Sequence, residues 1–334
     1  MHPLRHLGSR RSTRRVPAAI VHTAVICAAL FATAVASLAQ EKPIHLNPVI
    51  AKLAEGKPAY GLQAADFSLA NARESSRAPV DFVYADMEHN PMDFSALYTF
   101  LVGMSDRGMV FKKGNLQPNV ALFARFPQEA EGSAWVVQQA LDMGLMGFIF
   151  NGVASRHQAE VAIKSMRYPQ SKESKYPEPA GTRGSGAANA TWVWGISANE
   201  YERHADVWPL NPDGDLLAIL MVETEEGVKN ADAIASVPGV GAIFVGAGSD
   251  MRMTMGVPAG APAVEANFQI VLKACKAHKV PCAITANTPN DVARRVREGW
   301  SIIRSNVPAI TAGRALLGEN QNGATPGGPR VGVN

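Results

Sequence analysis

Cysteine is scarce in this chain of 334 residues: Cys27, Cys275 and Cys282 are all there is. None stands in a CxxC or Cys/His spacing, which argues against a structural zinc site. Charge is thin as well, at 18% of residues. No basic patch stands beyond the first 39 residues, so nucleic acid is not an expected partner. No internal repeat is visible. A glycine-rich phosphate loop is missing after the first strand-like run, where the sequence reads GLQAADF over residues 61–67. That absence speaks against a doubly wound dinucleotide-binding sheet.

The first 39 residues carry Arg5, Arg10, Arg11, Arg14 and Arg15 and no acid. An apolar stretch from Val16 to Val35 follows, then the small residues Ala36-Ser37-Leu38-Ala39. Basic, apolar and small, in that order, predict a secretory signal peptide over residues 1–39, cleaved near Ala39. The mature protein is then exported, to the periplasm or beyond. The leader holds five of the 32 Lys and Arg and none of the 29 Asp and Glu, so the mature chain carries a net charge of about −2. Cys27 leaves with the leader. Export permits a disulfide between Cys275 and Cys282, and separate burial is the other reading.

What remains is rhythmic. Short runs apolar on both faces lie at Ala59–Leu62, Phe82–Ala85, Val120–Ala124, Phe148–Phe150, Ala218–Val222, Ile243–Val245, Cys282–Thr285 and Ile302–Arg304. Helical spacing follows each, over about 66–77, 93–108, 132–143, 155–167, 226–236, 264–278, 289–298 and 307–317. Doubly buried strands alternating with helices predict an α/β fold, a (β/α)8 TIM barrel, spanning residues 40–317. Polar, Gly- and Pro-rich insertions interrupt it near 103–119 and 171–213, the second bearing Trp192, Trp194 and Trp208. Packing or an interface is the expected role of those aromatics. Residues 318–334, GENQNGATPGGPRVGVN, read as a disordered tail.

In such a barrel the reactive groups sit at the carboxyl ends of the strands. The second run, in DFVYADMEHNPMDF (residues 81–94), ends in Asp86, Glu88 and His89. Gln63, Arg125, Asn151, Glu223, Asp250 and Asn287 follow other runs. Two carboxylates from neighbouring strand ends, Glu223 and Asp250, suit a hard divalent cation such as Mg2+ or Mn2+, with Co2+ a further candidate. Such a cation polarises a 2-oxo acid and stabilises its enolate. An Arg within reach adds to that stabilisation, and a His steadied by a carboxylate supplies a general base. Taken singly, Glu223 also reads as the acidic first turn of a helix and Asp250 as an N-cap.

The segments ADMEHNPMDF, ARFP, QALDMGLMGFIFNGVASRHQAEVAIKSMRYP, GTRG, VETEEGVKNADAIASVPGVGAIFVGAGSD and MTMG follow one another as in the HpcH/HpaI aldolase–citrate lyase family. The resemblance spans about residues 59–315. It implies a barrel of the phosphoenolpyruvate/pyruvate-binding type and a class II, metal-dependent pyruvate aldolase. Such an enzyme cleaves or forms a 4-hydroxy-2-oxo acid, giving pyruvate or a related 2-oxo acid plus an aldehyde. It also implies a homo-oligomer, hexamer or trimer. By the same resemblance Glu223 and Asp250 hold the metal and His89 is the base, with Asp86 orienting it. Arg125 binds the substrate oxygen. Asp142 helps position the base near a subunit contact. The N–H groups of Gly248 and Ser249 receive the substrate carboxylate. Arg183-Gly184 matches a mobile segment beside the active-site mouth. Three departures stand out: Asn90 in place of the usual Gly, a Pro-less Gly246-Ala247-Gly248-Ser249-Asp250 loop one residue longer, and the 171–213 insertion. Within the wider superfamily a citramalyl- or malyl-CoA-type lyase is the alternative. An exported 2-oxo-acid-binding protein on the same barrel is the alternative from outside enzymology.

Overall fold

The structure is a computed structural model describing residues 45–127, 132 and 134–319. The predicted leader, and the predicted tail from residue 320 on, lie outside the described residues. Among the described residues no helix is long and apolar enough to cross a membrane.

Eight parallel strands close into a barrel: β1 (Ala59–Ala64), β2 (Phe82–Asp86), β3 (Ala121–Arg125), β4 (Gly147–Phe150), β6 (Leu216–Met221), β7 (Ala242–Phe244), β8 (Cys282–Thr285) and β9 (Ile302–Arg304). Neighbours in sequence pair around the wall, β4 pairs with β6, and β9 returns to β1. A two-residue strand, β5 (Val207–Trp208), adds to the start of β6. Each of the eight apolar runs read from the sequence overlaps one barrel strand. All five residues of β2 and of β3 are buried, as a wall covered on both sides requires.

The lumen is filled in layers. Phe82 and Phe123 stack at 5.2 Å between centroids. The neighbouring strands make room with glycine, since a Cβ at Gly61 would stand 2.1 Å from the Phe82 ring and one at Gly147 2.6 Å from Phe123. Above these rings, toward the carboxyl ends, the lumen turns polar: Gln63, Tyr84, Asp86, Arg125 and Arg304 interact there. Apolar filling below and polar side chains above fix which end of the barrel can do chemistry.

The opposite, amino end is capped by helix α1 (Pro48–Ala54). Asp215 ties it down, accepting from Asn47 N at 3.1 Å and contacting His45 and His204 at 3.1 and 2.8 Å. The outer helices include α2 (Leu69–Ser75), α3 (Phe94–Gly103), α4 (Arg107–Lys113), α5 (Ala134–Asp142) and α6 (Arg156–Met166). Polar caps start most of them, as with Ser68 for α2, Asp93 for α3 and Ser155 for α6.

Four points refine the sequence reading. The break near 103–119 contains helix α4, capped by Asp106 before it and by left-handed Gly114 after it. The 171–213 insertion contains α7 (Ala188–Trp194), α8 (Ala198–His204) and β5. The helix expected over 226–236 is two short pieces, α9 (Glu225–Lys229) and α10 (Ala231–Ala235). They part at Asn230, whose side chain donates to Ala154 O at 2.7 Å. Cys275 and Cys282 are bridged, with their Cα atoms 5.9 Å apart. The bond joins the last turns of α12 (Pro262–His278) to the start of β8. Three helices complete the set: α11 (Ser249–Thr254), α13 (Pro289–Glu298) and α14 (Val307–Leu316).

Candidate active site

The carboxyl rim is organised around one guanidinium. Asp86 and Arg125 end adjacent strands and sit opposite each other in register. Arg125 Nε and Nη2 donate to the two Asp86 oxygens at 3.1 and 2.8 Å, a planar two-point pairing. Gln63 Nε2 also donates to Asp86 Oδ2. The third edge of Arg125 meets Glu88, with Nη1 to Oε2 at 2.8 Å. The Tyr84 ring lies 5.6 Å from the guanidinium carbon. Burial alone would weaken the Arg125 charge, but the contacts with Asp86, Tyr84 and Glu88 outweigh it and raise its pKa.

Glu223 lies two residues past β6 and accepts from Gly152 N at 3.4 Å. Its pKa is pushed up to about 7, first by burial and then by the negative charges of Asp250 and Glu88; Gly152 N–H and Arg125 oppose this. Glu88 is raised too, by burial first, with Asp86 and Asp250 adding and Arg125 and His89 opposing. Glu223, Glu88 and Asp250 therefore feel one another's negative charge, while Arg125 is already occupied by Asp86 and Glu88. A shortage of positive charge among hard oxygen donors is what a divalent cation relieves, so Glu223 and Asp250 fit the cation role. Among the described residues no three His, Cys, Asp or Glu converge as a closed cage. Two protein carboxylates with the remaining positions left to water and substrate is an arrangement that suits a hard divalent cation.

Asp250 stands in the first turn of α11, exposed. Gly248 precedes that helix at φ 75°, buried against Phe268 and Val264 so closely that an added Cβ would lie 2.6 Å from the Phe268 ring. Ser249 is exposed at the helix start. Both lie on the rim with Asp250.

His89 is placed on the rim but not beside Asp86. Its Nε2 is 3.5 Å from Glu88 Oε2, and its side chain is 64% exposed. The contact expected between Asp86 and His89 is replaced by the pairing of Asp86 with Arg125. Glu88 links His89 to Arg125. Asn90 donates to Asp86 O at 2.8 Å and so shapes the turn out of β2. Asp142 ends α5, at the amino end of the barrel, and binds Arg183 at 2.6 Å. It does not join Glu223 and Asp250 within one chain. Arg183, expected beside the mouth, is 1% exposed, hydrogen-bonded to Tyr201 at 2.9 Å and lying 4.5 Å from the Tyr168 ring centre. The insertion that carries it runs from α6 to β6, both of which open on the amino end. Trp194 packs there, donating to Gly144 O at 2.8 Å, while Trp192 is 60% exposed.

The rim also holds residues that sequence reasoning passed over as functional, namely Tyr84 and Arg304. Tyr84 hydroxyl donates to Gln63 Oε1 at 3.0 Å, and Arg304 Nη2 donates to the same oxygen. An apolar cavity of about 390 Å³, lined by Leu101, Met104, Phe111, Leu116 and Trp194, lies at the other end of the barrel. It gathers none of the rim's carboxylates.

The family model described as HpcH/HpaI aldolase/citrate lyase matches residues 61–306. The 2-dehydro-3,6-dideoxy-6-sulfogluconate aldolase of Pseudomonas putida is 28% identical over 242 residues, 70% of this chain and 80% of its own. The 5-keto-4-deoxy-D-glucarate aldolase of Escherichia coli (strain K12) is 27% identical over 228 residues, 68% of this chain and 77% of its own. A crystal structure of an HpcH/HpaI aldolase/citrate lyase family protein from Burkholderia cenocepacia J2315 is similar with a TM-score of 0.64 at 26% identity. It covers 82% of this chain and 98% of that one.

Proposed function

Because the chain belongs to the HpcH/HpaI aldolase/citrate lyase family, we propose that its rim binds a divalent cation and cleaves a 4-hydroxy-2-oxo acid. The reaction class is aldol carbon–carbon cleavage, to pyruvate or a related 2-oxo acid plus an aldehyde, in a small-molecule substrate. The observation that carries the metal and site assignment is the gathering of Glu88, Glu223 and Asp250 about the occupied guanidinium of Arg125.

In this reading Glu223 and Asp250 would hold Mg2+ or Mn2+. Bound there, such a cation would polarise the 2-oxo acid and supply the electron sink that cleavage needs. Arg125, locked by Asp86, offers its remaining N–H to the oxygen at C2 as negative charge grows there. His89 takes the proton from the C4 hydroxyl, the C3–C4 bond breaks, and its electron pair moves onto the C2 oxygen. A proton returned to C3 completes pyruvate. Glu88 steadies both His89 and Arg125. The N–H groups at Gly248 and Ser249 are offered to the substrate carboxylate.

The test is exchange of the pyruvate methyl protons in D2O. Exchange that requires Mg2+ or Mn2+, stops in EDTA and is lost in His89→Ala supports the reading. Absence of exchange with every metal tried would sink it. We extend the proposal to export and assembly. A bridged Cys275–Cys282 favours an oxidising compartment, and mass measurement of the secreted protein should place its first residue near Gln40. Phe111, 87% exposed, and Trp192 offer aromatic surface to a neighbouring subunit, and light scattering reads the assembly size.

A further inference from the structure

Four adjoining strands carry one continuous chain of polar side chains. Arg304 closes β9 in register with Gly61 of β1, and Gln63 stands two residues further along β1, opposite Tyr84 of β2. Asp86 ends β2 opposite Arg125 of β3. Arg304 Nη2 donates to Gln63 Oε1, which also accepts from the Tyr84 hydroxyl at 3.0 Å. Gln63 Nε2 donates in turn to Asp86 Oδ2. Arg304 Nε is buried without a hydrogen-bond partner, so among the described residues the polar contact of this guanidinium is with Gln63.

The direction of the chain follows from what each group can do. A guanidinium has donors and no acceptor, so the amide oxygen of Gln63 must face Arg304. The amide nitrogen is then left for Asp86, whose carboxylate only accepts. The opposite amide orientation would set N–H against N–H at Arg304 and oxygen against oxygen at Asp86. Tyr84 imposes no such choice, because a hydroxyl both donates and accepts. The positive charge of Arg304 also polarises the amide and strengthens its far N–H as a donor.

Asp86 depends on that donor. Its Oδ1 accepts from Arg125 Nε at 3.1 Å and Glu88 N at 3.2 Å, and its Oδ2 accepts from Arg125 Nη2 at 2.8 Å and from Gln63. Two donors on each oxygen fix the rotation of the carboxylate, and the carboxylate fixes the plane of the Arg125 guanidinium. Without Gln63, Oδ2 keeps Arg125 alone and that rotation loosens.

We infer that Arg304 is a positioning residue for the aldol reaction: through Gln63 it orients Asp86, and so aims the N–H that Arg125 offers to the C2 oxygen. This rests on the aldol-lyase reading above and adds to it two residues that act at one remove from the reacting atoms. A misaimed Arg125 loses stabilisation of the charge that grows in the transition state, so the effect falls on kcat.

The experiment follows exchange of the pyruvate methyl protons in D2O in the Mn2+-loaded full-length protein. Each rate is divided by the Mn2+ bound, so a reduced active fraction cancels. Arg304→Met and Gln63→Leu should each lower kcat about tenfold, the size of one charge-assisted hydrogen bond lost, with KM for pyruvate changing less than about twofold. Arg304→Lys keeps a donor-only cation and should recover most of the rate. Gln63→Glu keeps the Arg304 contact as an ion pair but removes the donor to Asp86, so it should fall as far as Gln63→Leu. Because Arg304 acts through Gln63, the double variant Arg304→Met/Gln63→Leu should be no slower than the slower single variant. Losses that multiply in the double variant, an Arg304→Met rate equal to the wild type's, or a loss carried by KM alone overturn the inference and leave the lyase reading intact. Absence of metal-dependent exchange in the wild type overturns both.

Discussion

Glu223 gives the sharpest physical test. Its carboxyl titrates near 7 in the metal-free fold, against an ordinary 4.5 in the unfolded chain, because burial, Asp250 and Glu88 all disfavour the anion. A group whose pKa is raised on folding favours the folded state fully below its unfolded pKa, and that advantage is lost as pH rises through the folded one. The metal-free protein should therefore weaken between about pH 4.5 and pH 7, with no further change from this group above that. At about 1.36 kcal/mol per pH unit the loss is about 3 kcal/mol. For a domain of this size that is a fall in Tm of about 6 °C, most of it between pH 4.5 and 7.

The assay is thermal unfolding across that range in EDTA, on the wild type and Glu223→Gln. The difference between the two curves isolates Glu223 from the other groups, including Glu88, which is shifted the same way. Mg2+ or Mn2+ added at pH 8 should restore the wild type, since the cation binds the ionised carboxylate and contributes about 2.7 kcal/mol at a hundred times its Kd. Restoration should be far smaller in Glu223→Gln. Parallel pH curves for the two proteins in EDTA, or equal protection by metal, would refute the reasoning.

Three further outcomes follow from the lumen and its supports. Asp86→Ala removes the two-point partner of the buried Arg125, leaving it Glu88 alone, and should cost about 3 kcal/mol in denaturant unfolding, along with the exchange activity; a loss below about 1 kcal/mol would mean that water reaches the pair. Gly61→Ala places a methyl 2.1 Å from the Phe82 ring, an overpacking cost of at least about 1–3 kcal/mol, and Phe82→Leu in the same chain should recover part of it in a double-mutant cycle. Replacing Cys275 and Cys282 by Ser opens a loop whose ends are seven residues apart and should lower stability by about 2 kcal/mol, with reductant having the same effect on the wild type and none on the double variant.

The barrel was legible because a wall covered on both sides leaves a uniform mark: each strand is a short, wholly apolar run, and a helix must follow to return the chain. The pieces that escaped are those whose formation depends on neighbours. α7 and α8 sit in a stretch rich in Gly and Ser, and their local signal is weak until Trp194 finds Gly144 O and Arg183 finds Asp142. The bridge of Cys275 to Cys282 needs the C-terminal turns of α12 brought against β8, which spacing alone does not reveal. The rim was legible in kind, because charged residues after apolar runs can only lie at the strand ends. Its pairings were not, because a pairing is a property of two strands.

The alternation along β2 nevertheless narrows which of its acids can meet a neighbouring strand. Side chains alternate across a strand, so Phe82, Tyr84 and Asp86 face the lumen together, and Met87 turns outward into full burial. Asp86 and His89 are three positions apart and fall on opposite sides of that alternation, whereas Glu88 shares the side of Asp86. The alternation thus favours Glu88 as the residue that meets Arg125, and the 2.8 Å contact follows it even though β2 has already ended. The same parity applies at β9, where Arg304 faces inward as Gly61 and Gln63 do on the adjoining strand. A strand-final charge on the lumen side has no solvent face to escape to. It must be paired within the lumen, as Arg125 is by Asp86 and Glu88.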